Sequence, residues 1–235
     1  MILHTAARRI ALIVLASLLP AVSQAQWNLS NDYSGSLNPN GVWTFGSRTL
    51  GNLNAAGLSV YTVPGSQFGW DQSWSSGSLP TVTRNATNST QTFSTVTYAP
   101  YQVGLHPGFS GEYSIVRWTA PTSGAFSLAS TFTGIDCCFT STDIHVLVNG
   151  TSYFNNFVYG YGNSQSYSNT FALIAGDNVE LVVGYGSNGN FFDDSTGLDL
   201  TINAVTATPE PASVALLATG LLVVGGFSRR RRRTP

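Results

Sequence analysis

Short runs in which apolar and polar residues alternate recur along the middle of the chain, and this period of two residues constrains the fold more than any other feature. The clearest runs are residues 113–119, 125–133, 143–149, 167–174, 178–184 and 197–205. In the last of them, Leu198, Leu200 and Ile202 alternate with Asp199, Thr201 and Asn203. Such alternation indicates strands with one buried face and one solvated face. Long helical periodicity is absent from the same region.

Turn signals separate these runs at short intervals. Asn149-Gly150, between Val148 and Thr151, predicts a hairpin with a type I′ turn. Less regular strands are expected at 41–46, 58–63 and 92–98. Nine or more strands without helices between them predict an all-β fold, an antiparallel β-sandwich of jelly-roll type.

Residues 26–208, about 183 residues, suffice for one domain with a substantial core. The pattern is looser over residues 26–107. This first part either completes the same sandwich or forms an irregular N-terminal portion.

Residues 1–25 have the features of a secretory signal peptide. Arg8 and Arg9 precede an apolar stretch at 10–19, and Ser23-Gln24-Ala25 forms a small-x-small cleavage site. We therefore expect export through the Sec machinery and cleavage by signal peptidase between Ala25 and Gln26.

The other end of the chain combines an apolar run with a basic tail. Residues 212–227 carry no charge and would be about 24 Å long as a helix, against a bilayer core of about 30 Å. They predict a short transmembrane helix, the alternative being a buried core helix. The tail, 228–235, contains Arg229, Arg230, Arg231, Arg232 and Arg233, which would stop transfer and stay on the cytoplasmic side.

Pro209, Glu210 and Pro211 stand immediately before the apolar run. The order Pro-Glu-Pro, apolar helix, arginine cluster over 209–235 resembles the PEP-CTERM sorting signal of Gram-negative bacteria. The resemblance implies transient anchoring in the inner membrane, processing by an exosortase near Pro-Glu-Pro, and delivery to the cell surface or the extracellular matrix. It also implies an association with exopolysaccharide and biofilm.

The expected ectodomain is acidic. Residues 26–208 contain three arginines, no lysine and ten acidic residues, which gives a net charge of −7. Nucleic-acid binding requires cationic side chains that displace phosphate counterions. The composition therefore excludes a nucleic-acid partner, and it disfavours docking on anionic lipid through charge.

Residues 112–136 and 171–202 resemble, in general style, the jelly-roll modules that bind carbohydrate in secreted bacterial proteins. Aromatic residues near amide side chains suit sugar binding, because ring faces stack on sugars while amides meet hydroxyl groups. The candidates for glycan contact are Trp70, Trp74, Tyr159 and Tyr161. The alternative places the second group, Phe157, Tyr159 and Tyr161, in the core, because these residues share one strand face.

Residues 186–199 gather oxygen ligands around a glycine-containing loop. Asp193, Asp194 and Asp199 predict either a structural calcium site or an ordinary turn rich in Asp and Asn. Cys137 and Cys138 are adjacent, and they could form a vicinal disulfide, intermolecular bridges or two protected thiols.

No nucleophile, phosphate-loop or dinucleotide motif appears, and the two histidines of the expected mature chain, His106 and His145, are expected to be solvated or locally hydrogen-bonded. We therefore expect a non-enzymatic protein with a structural or adhesive role. A lectin-like carbohydrate-binding module is the first alternative. The second is a glycan hydrolase, in which Glu112 would pair with one of Asp136, Asp143, Asp193 and Asp194.

Overall fold

The computed structural model describes residues 24–54, 57–205 and 219–220. Within residues 24–54 and 57–205, sixteen strands and one helical turn follow one another. They are β1 (Gln26–Asn28), α1 (Leu29–Asp32), β2 (Trp43–Arg48), β3 (Ser59–Val60), β4 (Val63–Gly65), β5 (Asp71–Ser75), β6 (Thr81–Asn85), β7 (Gln91–Phe93), β8 (Val96–Tyr98), β9 (Val103–His106), β10 (Tyr113–Thr119), β11 (Gly124–Gly134), β12 (Ser141–Val148), β13 (Thr151–Tyr159), β14 (Ser164–Leu173), β15 (Asn178–Val183) and β16 (Thr196–Val205).

Two antiparallel sheets contain all but two of these strands. The eight-stranded sheet has the order β14-β11-β16-β9-β6-β5-β4, with β1 also paired to β16. The six-stranded sheet has the order β13-β12-β15-β10-β2-β3. The remaining strands, β7 and β8, form a separate hairpin. Strands from the first hundred residues lie in both sheets, so this part of the chain completes the sandwich.

The predicted all-β antiparallel sandwich is confirmed, and the six regular runs all form strands. Residues 113–119 match β10 residue for residue. Val148 pairs with Thr151, so Asn149 and Gly150 form a two-residue turn, and their φ values of +50° and +78° fit type I′. The single strand expected at 92–98 is wrong, because Ser94 and Thr95 turn the chain between β7 and β8.

The inward faces of the two sheets form one hydrophobic core. The alternating residues of β11, Phe126, Leu128 and Phe132, are buried there. Ile144, Val146 and Val148 of β12 and Leu198, Leu200 and Ile202 of β16 pack in the same cluster. The alternation therefore identified the core face of each of these strands correctly.

The outer face of the six-stranded sheet is only partly solvated, whereas the alternation predicted one fully solvated face. Its apolar residues Tyr113, Ile115, Leu147 and Val182 form a second cluster, on which Leu53 and Leu58 pack. His145 does lie on this outer side, but it is buried there. The segment between β2 and β3 supplies the cover, which a strand pattern does not reveal.

Charged residues share this covered face. The carboxylate of Glu180 accepts hydrogen bonds from Arg48 Nη1 and Nη2 at 2.7 and 2.8 Å and from Arg117 Nε at 2.8 Å. Two of the three arginines in residues 26–208 therefore form ion pairs with one buried glutamate.

Cys137 and Cys138 are bonded to each other. The predicted sorting motif, the predicted arginine tail and nearly all of the predicted signal peptide and membrane span lie outside the described residues. In the described part of the chain, no helix has the length and apolar character needed to cross a bilayer.

Candidate functional site

A cleft of about 490 Å³ opens on the outer face of the eight-stranded sheet, and we call it the aromatic cleft. Thr81 and Thr83 line it and alternate with the fully buried Val82, which places the cleft on the side away from the core. The β7–β8 hairpin and the loop before β16 also contribute to it. The lining residues are Gln67, Phe68, Trp70, Asp71, Ser73, Leu79, Thr81, Thr83, Phe93, Ser94, Thr95, Val96, Tyr98, His106, Asp136, Phe191, Phe192, Asp193 and Ser195.

One group of rings comes from the turn before β5 and from the hairpin. Phe68 stacks on Trp70 with ring centroids 5.5 Å apart, and it contacts Phe93 at 3.8 Å. Tyr98 lies 5.6 Å from Trp70 in a tilted orientation. Phe93 is 43% exposed, so this aromatic surface reaches solvent.

The side chain of Asp71 stabilises the turn that carries Phe68 and Trp70. Its carboxylate accepts hydrogen bonds from Ser66 Oγ at 3.2 Å, Gln67 N at 3.0 Å and Phe68 N at 2.8 Å. Three bonds to the first residue of β5 fix the preceding loop, as a side-chain cap does at a tight turn. Asp71 therefore positions Phe68 and Trp70 rather than facing a ligand.

A second group of rings comes from the loop between β15 and β16. Phe191 and Phe192 lie with centroids 4.3 Å apart, and Phe109 meets Phe191 edge-on at 4.6 Å. Phe192 is 65% exposed. The amide side chains of Asn188 and Asn190 shape the loop, because each accepts a backbone N–H two residues further on.

Asp136 lies deep in the cleft and is 2% exposed. Its Oδ2 accepts a hydrogen bond from Ser195 Oγ at 3.1 Å, whereas its Oδ1 is buried without a partner. Cys137 N donates to Thr95 O at 2.9 Å, and Thr97 N donates to Ile135 O at 2.8 Å. The hairpin thus holds the backbone on both sides of this carboxylate.

His106 ends β9 and adds an acceptor to the cleft. Its Nδ1 lies 2.8 Å from the carbonyl oxygen of Pro107. A carbonyl oxygen only accepts, so Nδ1 carries the hydrogen and Nε2 is the acceptor in the neutral ring. Burial lowers the pKa of His106, which keeps the ring neutral at pH 7.

Asp194 is fully buried next to the lining residues Asp193 and Ser195. Its Oδ1 accepts a hydrogen bond from Ser141 N at 3.0 Å. Burial, together with the carboxylates of Asp136, Asp143 and Asp193, raises the pKa of Asp194 to about 7. The loop is therefore tied to β12 by an acid that is partly protonated near neutral pH.

This arrangement suits a sugar better than an anion. Flat rings stack on the apolar faces of a sugar, and the nearby acceptors can receive hydrogen bonds from its hydroxyl groups. Among the described residues that line the cleft, the only basic side chain is the neutral His106. The third arginine of residues 26–208, Arg84, lies over the ring of Tyr101 at 5.3 Å and is not among the residues that line the cleft.

The structure separates the aromatic residues that the sequence proposed for glycan contact. Trp70 lines the cleft, but Trp74 is 4% exposed in the core and donates its indole N–H to Ser34 O at 2.7 Å. Trp74 is therefore not available as a platform. Tyr159 ends the edge strand β13 of the other sheet and Tyr161 follows it; both are exposed, so their interpretation as core residues is wrong.

The three carboxylates of the calcium hypothesis are not grouped. Asp193 lines the aromatic cleft, Asp194 is buried beside it, and Asp199 is exposed on β16 in a different groove. Within residues 24–54, 57–205 and 219–220, no three His, Cys, Asp or Glu side chains lie close enough to share a metal ion. The hydrogen bonds of Asn188 and Asn190 are those of an Asx turn.

Glu112, proposed as one of two catalytic carboxylates, lies outside the aromatic cleft. Its Oε2 accepts a hydrogen bond from Ser110 N at 2.9 Å, and it is not among the residues lining the cleft. Asp143 lies on the other sheet, where its Oδ2 is 2.8 Å from His145 Nε2 and its Oδ1 accepts from Gly186 N at 2.8 Å. Burial alone would raise the pKa of Asp143, but these hydrogen bonds hold it below its usual value.

The Asp143–His145 pair lines a second, smaller pocket of about 290 Å³. Tyr113 meets the ring of His145 edge-on at 6.2 Å, and Tyr185 and Phe157 complete the aromatic part of the lining. This pocket is smaller than the aromatic cleft, and fewer aromatic side chains line it. The cleft is therefore the stronger candidate for a functional site.

Sequence reasoning missed Phe93, Phe191 and Phe192 as site residues, and it named Asp136 only as a possible catalytic partner of Glu112. They come from β7, from the segment after β11 and from the loop before β16, which meet only in the folded chain. The one available signal was the density of Phe, Asn and Asp at 188–194, which was interpreted as a calcium loop or a turn.

The family model for the PEP-CTERM protein-sorting motif matches residues 207–233. The chain therefore carries this sorting motif at its C-terminal end, as the resemblance predicted. The motif marks a protein for export and exosortase-mediated sorting to the cell surface. No curated protein matches the chain.

Solved structures that resemble this one include carbohydrate-binding modules. The CBM51-2 and INT domains from Clostridium perfringens ZmpB, in complex with GlcNAc, are 19% identical over 46% of this chain and 22% of that chain, with a TM-score of 0.33. CBM51 from Clostridium perfringens GH95, in complex with methyl-galactose, is 13% identical over 67% of this chain and 99% of that chain, with a TM-score of 0.36. A family 35 carbohydrate binding module from Clostridium thermocellum is 19% identical over 48% of this chain and 85% of that chain, with a TM-score of 0.31.

Proposed function

We propose that the mature protein is a structural or adhesive component of the cell surface or extracellular matrix and that it holds a polysaccharide in the aromatic cleft. Export through the Sec machinery, cleavage by signal peptidase and transient anchoring in the inner membrane precede processing by the exosortase. The sorting motif at 207–233 supports this route.

The observation that carries the glycan proposal is the combination of exposed rings and buried acceptors in one cleft. Phe93 and Phe192 expose large apolar surfaces beside the carboxylate of Asp136 and the imidazole of His106. Exposed aromatic groups that converge in a cleft are typical of a binding site rather than of an ordinary surface. The net charge of −7 over residues 26–208 disfavours acidic polymers as ligands.

The test compares Trp70→Ala with Tyr159→Ala in a binding assay against the exopolysaccharide of the host. Both changes remove an aromatic ring that is at least partly exposed, but only Trp70 lines the cleft. A ring stacked on a sugar is taken to contribute about as much as an aromatic pair, about 0.5–1.5 kcal/mol, so Trp70→Ala should weaken binding about two- to twelvefold. Equal effects of the two variants would contradict the proposal.

The alternatives make different predictions. A purely structural surface protein binds no glycan with saturable affinity. A secreted hydrolase releases reducing ends from the glycan and loses this activity in Glu112→Gln. The structure does not favour this alternative, because Asp136 and Asp193 line the cleft and Glu112 does not.

The sorting route is tested by the intact mass of the protein recovered from the host envelope and medium. We expect a chain that begins at Gln26 and ends within residues 209–211. A mass that still includes residues 212–235 would show that the protein keeps its C-terminal segment.

A further inference from the structure

We infer that the aromatic cleft selects a glycan that carries free, protonated amino groups, that is, a polymer of de-N-acetylated amino sugars. The inference rests on the proposed function, because it names the ligand class of the same cleft. It begins with Asp136 Oδ1, a carboxylate oxygen that is buried without a hydrogen-bond partner. A buried charged oxygen without a donor is costly, and its cost is recovered when a ligand supplies that donor.

The negative charge around this oxygen favours an ammonium group over a hydroxyl group as the donor. Asp193 also lines the cleft, and the neutral His106 does not compensate these acids. Asp71 is already satisfied by three donors and takes no part. A sugar hydroxyl could satisfy Oδ1, but only a cation also offsets the local negative charge, and a charge-assisted hydrogen bond is stronger than a neutral one.

Other cations and ligands fit the cleft less well. A calcium ion takes six to eight oxygen ligands, and no group of three suitable side chains occurs among the described residues. A uronate or sulfate group would be repelled by Asp136 and Asp193. An amino sugar combines a compact cation with an apolar ring face, and the exposed Phe93 and Phe192 offer surfaces for that face.

The experiment measures the affinity of the protein recovered from its host for glucosamine oligomers and for N-acetylglucosamine oligomers of the same length, by calorimetry at mildly acidic pH. The wild-type protein should bind the glucosamine oligomer about tenfold more tightly, and this preference should shrink as salt is added. In Asp136→Asn, the ratio of the two affinities should fall toward one.

Asp199→Asn is the matched control. It removes the same charge, but Asp199 lies on β16, is exposed and does not line the cleft. The ratio should stay at its wild-type value in this variant. An equal fall in both variants would show that net charge rather than Asp136 sets the preference, and would overturn the inference.

Two further outcomes separate this inference from the proposed function. If the wild-type protein binds both oligomers equally and Trp70→Ala weakens both, the cleft binds glycans but does not select amino groups. If the wild-type protein binds neither oligomer nor the host polysaccharide, the proposed function and the inference both fail. The comparison of the two oligomers uses wild-type protein, so it holds even if Asp136→Asn does not fold.

Discussion

Replacing Glu180 by glutamine tests the buried ion network on the outer face of the six-stranded sheet. The side chains of Glu180 and Arg48 are 2% and 4% exposed, and two hydrogen bonds of 2.7 and 2.8 Å join them. Glutamine keeps the shape but removes the charge, which leaves the buried Arg48 guanidinium with neutral acceptors only, namely the carbonyl oxygens of Leu53 and Gly57 and the amide oxygen of the new side chain. Removing one partner of a buried pair costs about 3–5 kcal/mol.

The expected result of Glu180→Gln is therefore a loss of about 3–5 kcal/mol in the free energy of unfolding, measured by urea denaturation at unchanged m value. The Tm should fall by about 10 °C for a domain of this size. Glu112→Gln is the control, because Glu112 is only half-buried and accepts one backbone hydrogen bond, and it should cost less than about 1 kcal/mol.

A second variant checks the cause of this loss. Adding Arg48→Met to Glu180→Gln removes the uncompensated charge, so the double variant should be more stable than Glu180→Gln alone. Arg117 is 17% exposed and can turn toward water. If Glu180→Gln costs no more than Glu112→Gln, or if the double variant is less stable than the single one, the charge argument is refuted.

Two further predictions concern the loop before β16 and its contacts. Asp194 holds a proton up to about pH 7 in the folded protein but releases it near pH 3.8 when unfolded, so the unfolded state binds fewer protons between these values. The free energy of unfolding should therefore fall as pH rises from about 4 to 7, by up to about 4 kcal/mol; this decline should be shallower in Asp194→Asn, and equal slopes would contradict it. Gly186 has a φ of +71°, and an added Cβ would collide with the carbonyl oxygen of Ser141. Gly189 has the same φ but open space around it, so Gly186→Ala should cost at least about 1 kcal/mol more than Gly189→Ala in thermal unfolding. Equal costs would show that the collision is relieved without loss.

The strands were predictable because each is determined by its own alternation. The alternation over residues 113–119 predicted β10 with its correct ends, and Asn149-Gly150 predicted the hairpin of β12 and β13. Both signals depend on only a few neighbouring residues. The order of the strands in the sheets depends on contacts between distant residues, and no local pattern contains it.

The candidate site was predictable only in part, for the same reason. Trp70 and Trp74 stand four residues apart in a stretch without clear alternation, yet one lines the cleft and the other is in the core. The buried cluster on the outer face, which includes Tyr113 and Leu147, depends on Leu53 and Leu58 from the segment between β2 and β3. Asp136 becomes a cleft residue only because the hairpin and the last loop pack around it.

The most direct test of the account is a hydrogen-exchange footprint of the protein with and without the exopolysaccharide of its host. If the aromatic cleft binds the polymer, protection should increase at residues 66–70, 91–98 and 191–195, and Trp70→Ala should reduce it. Protection confined to residues 151–161 on the other sheet, or no protection at a saturating concentration of polymer, would contradict the assignment of the cleft as the glycan-binding site.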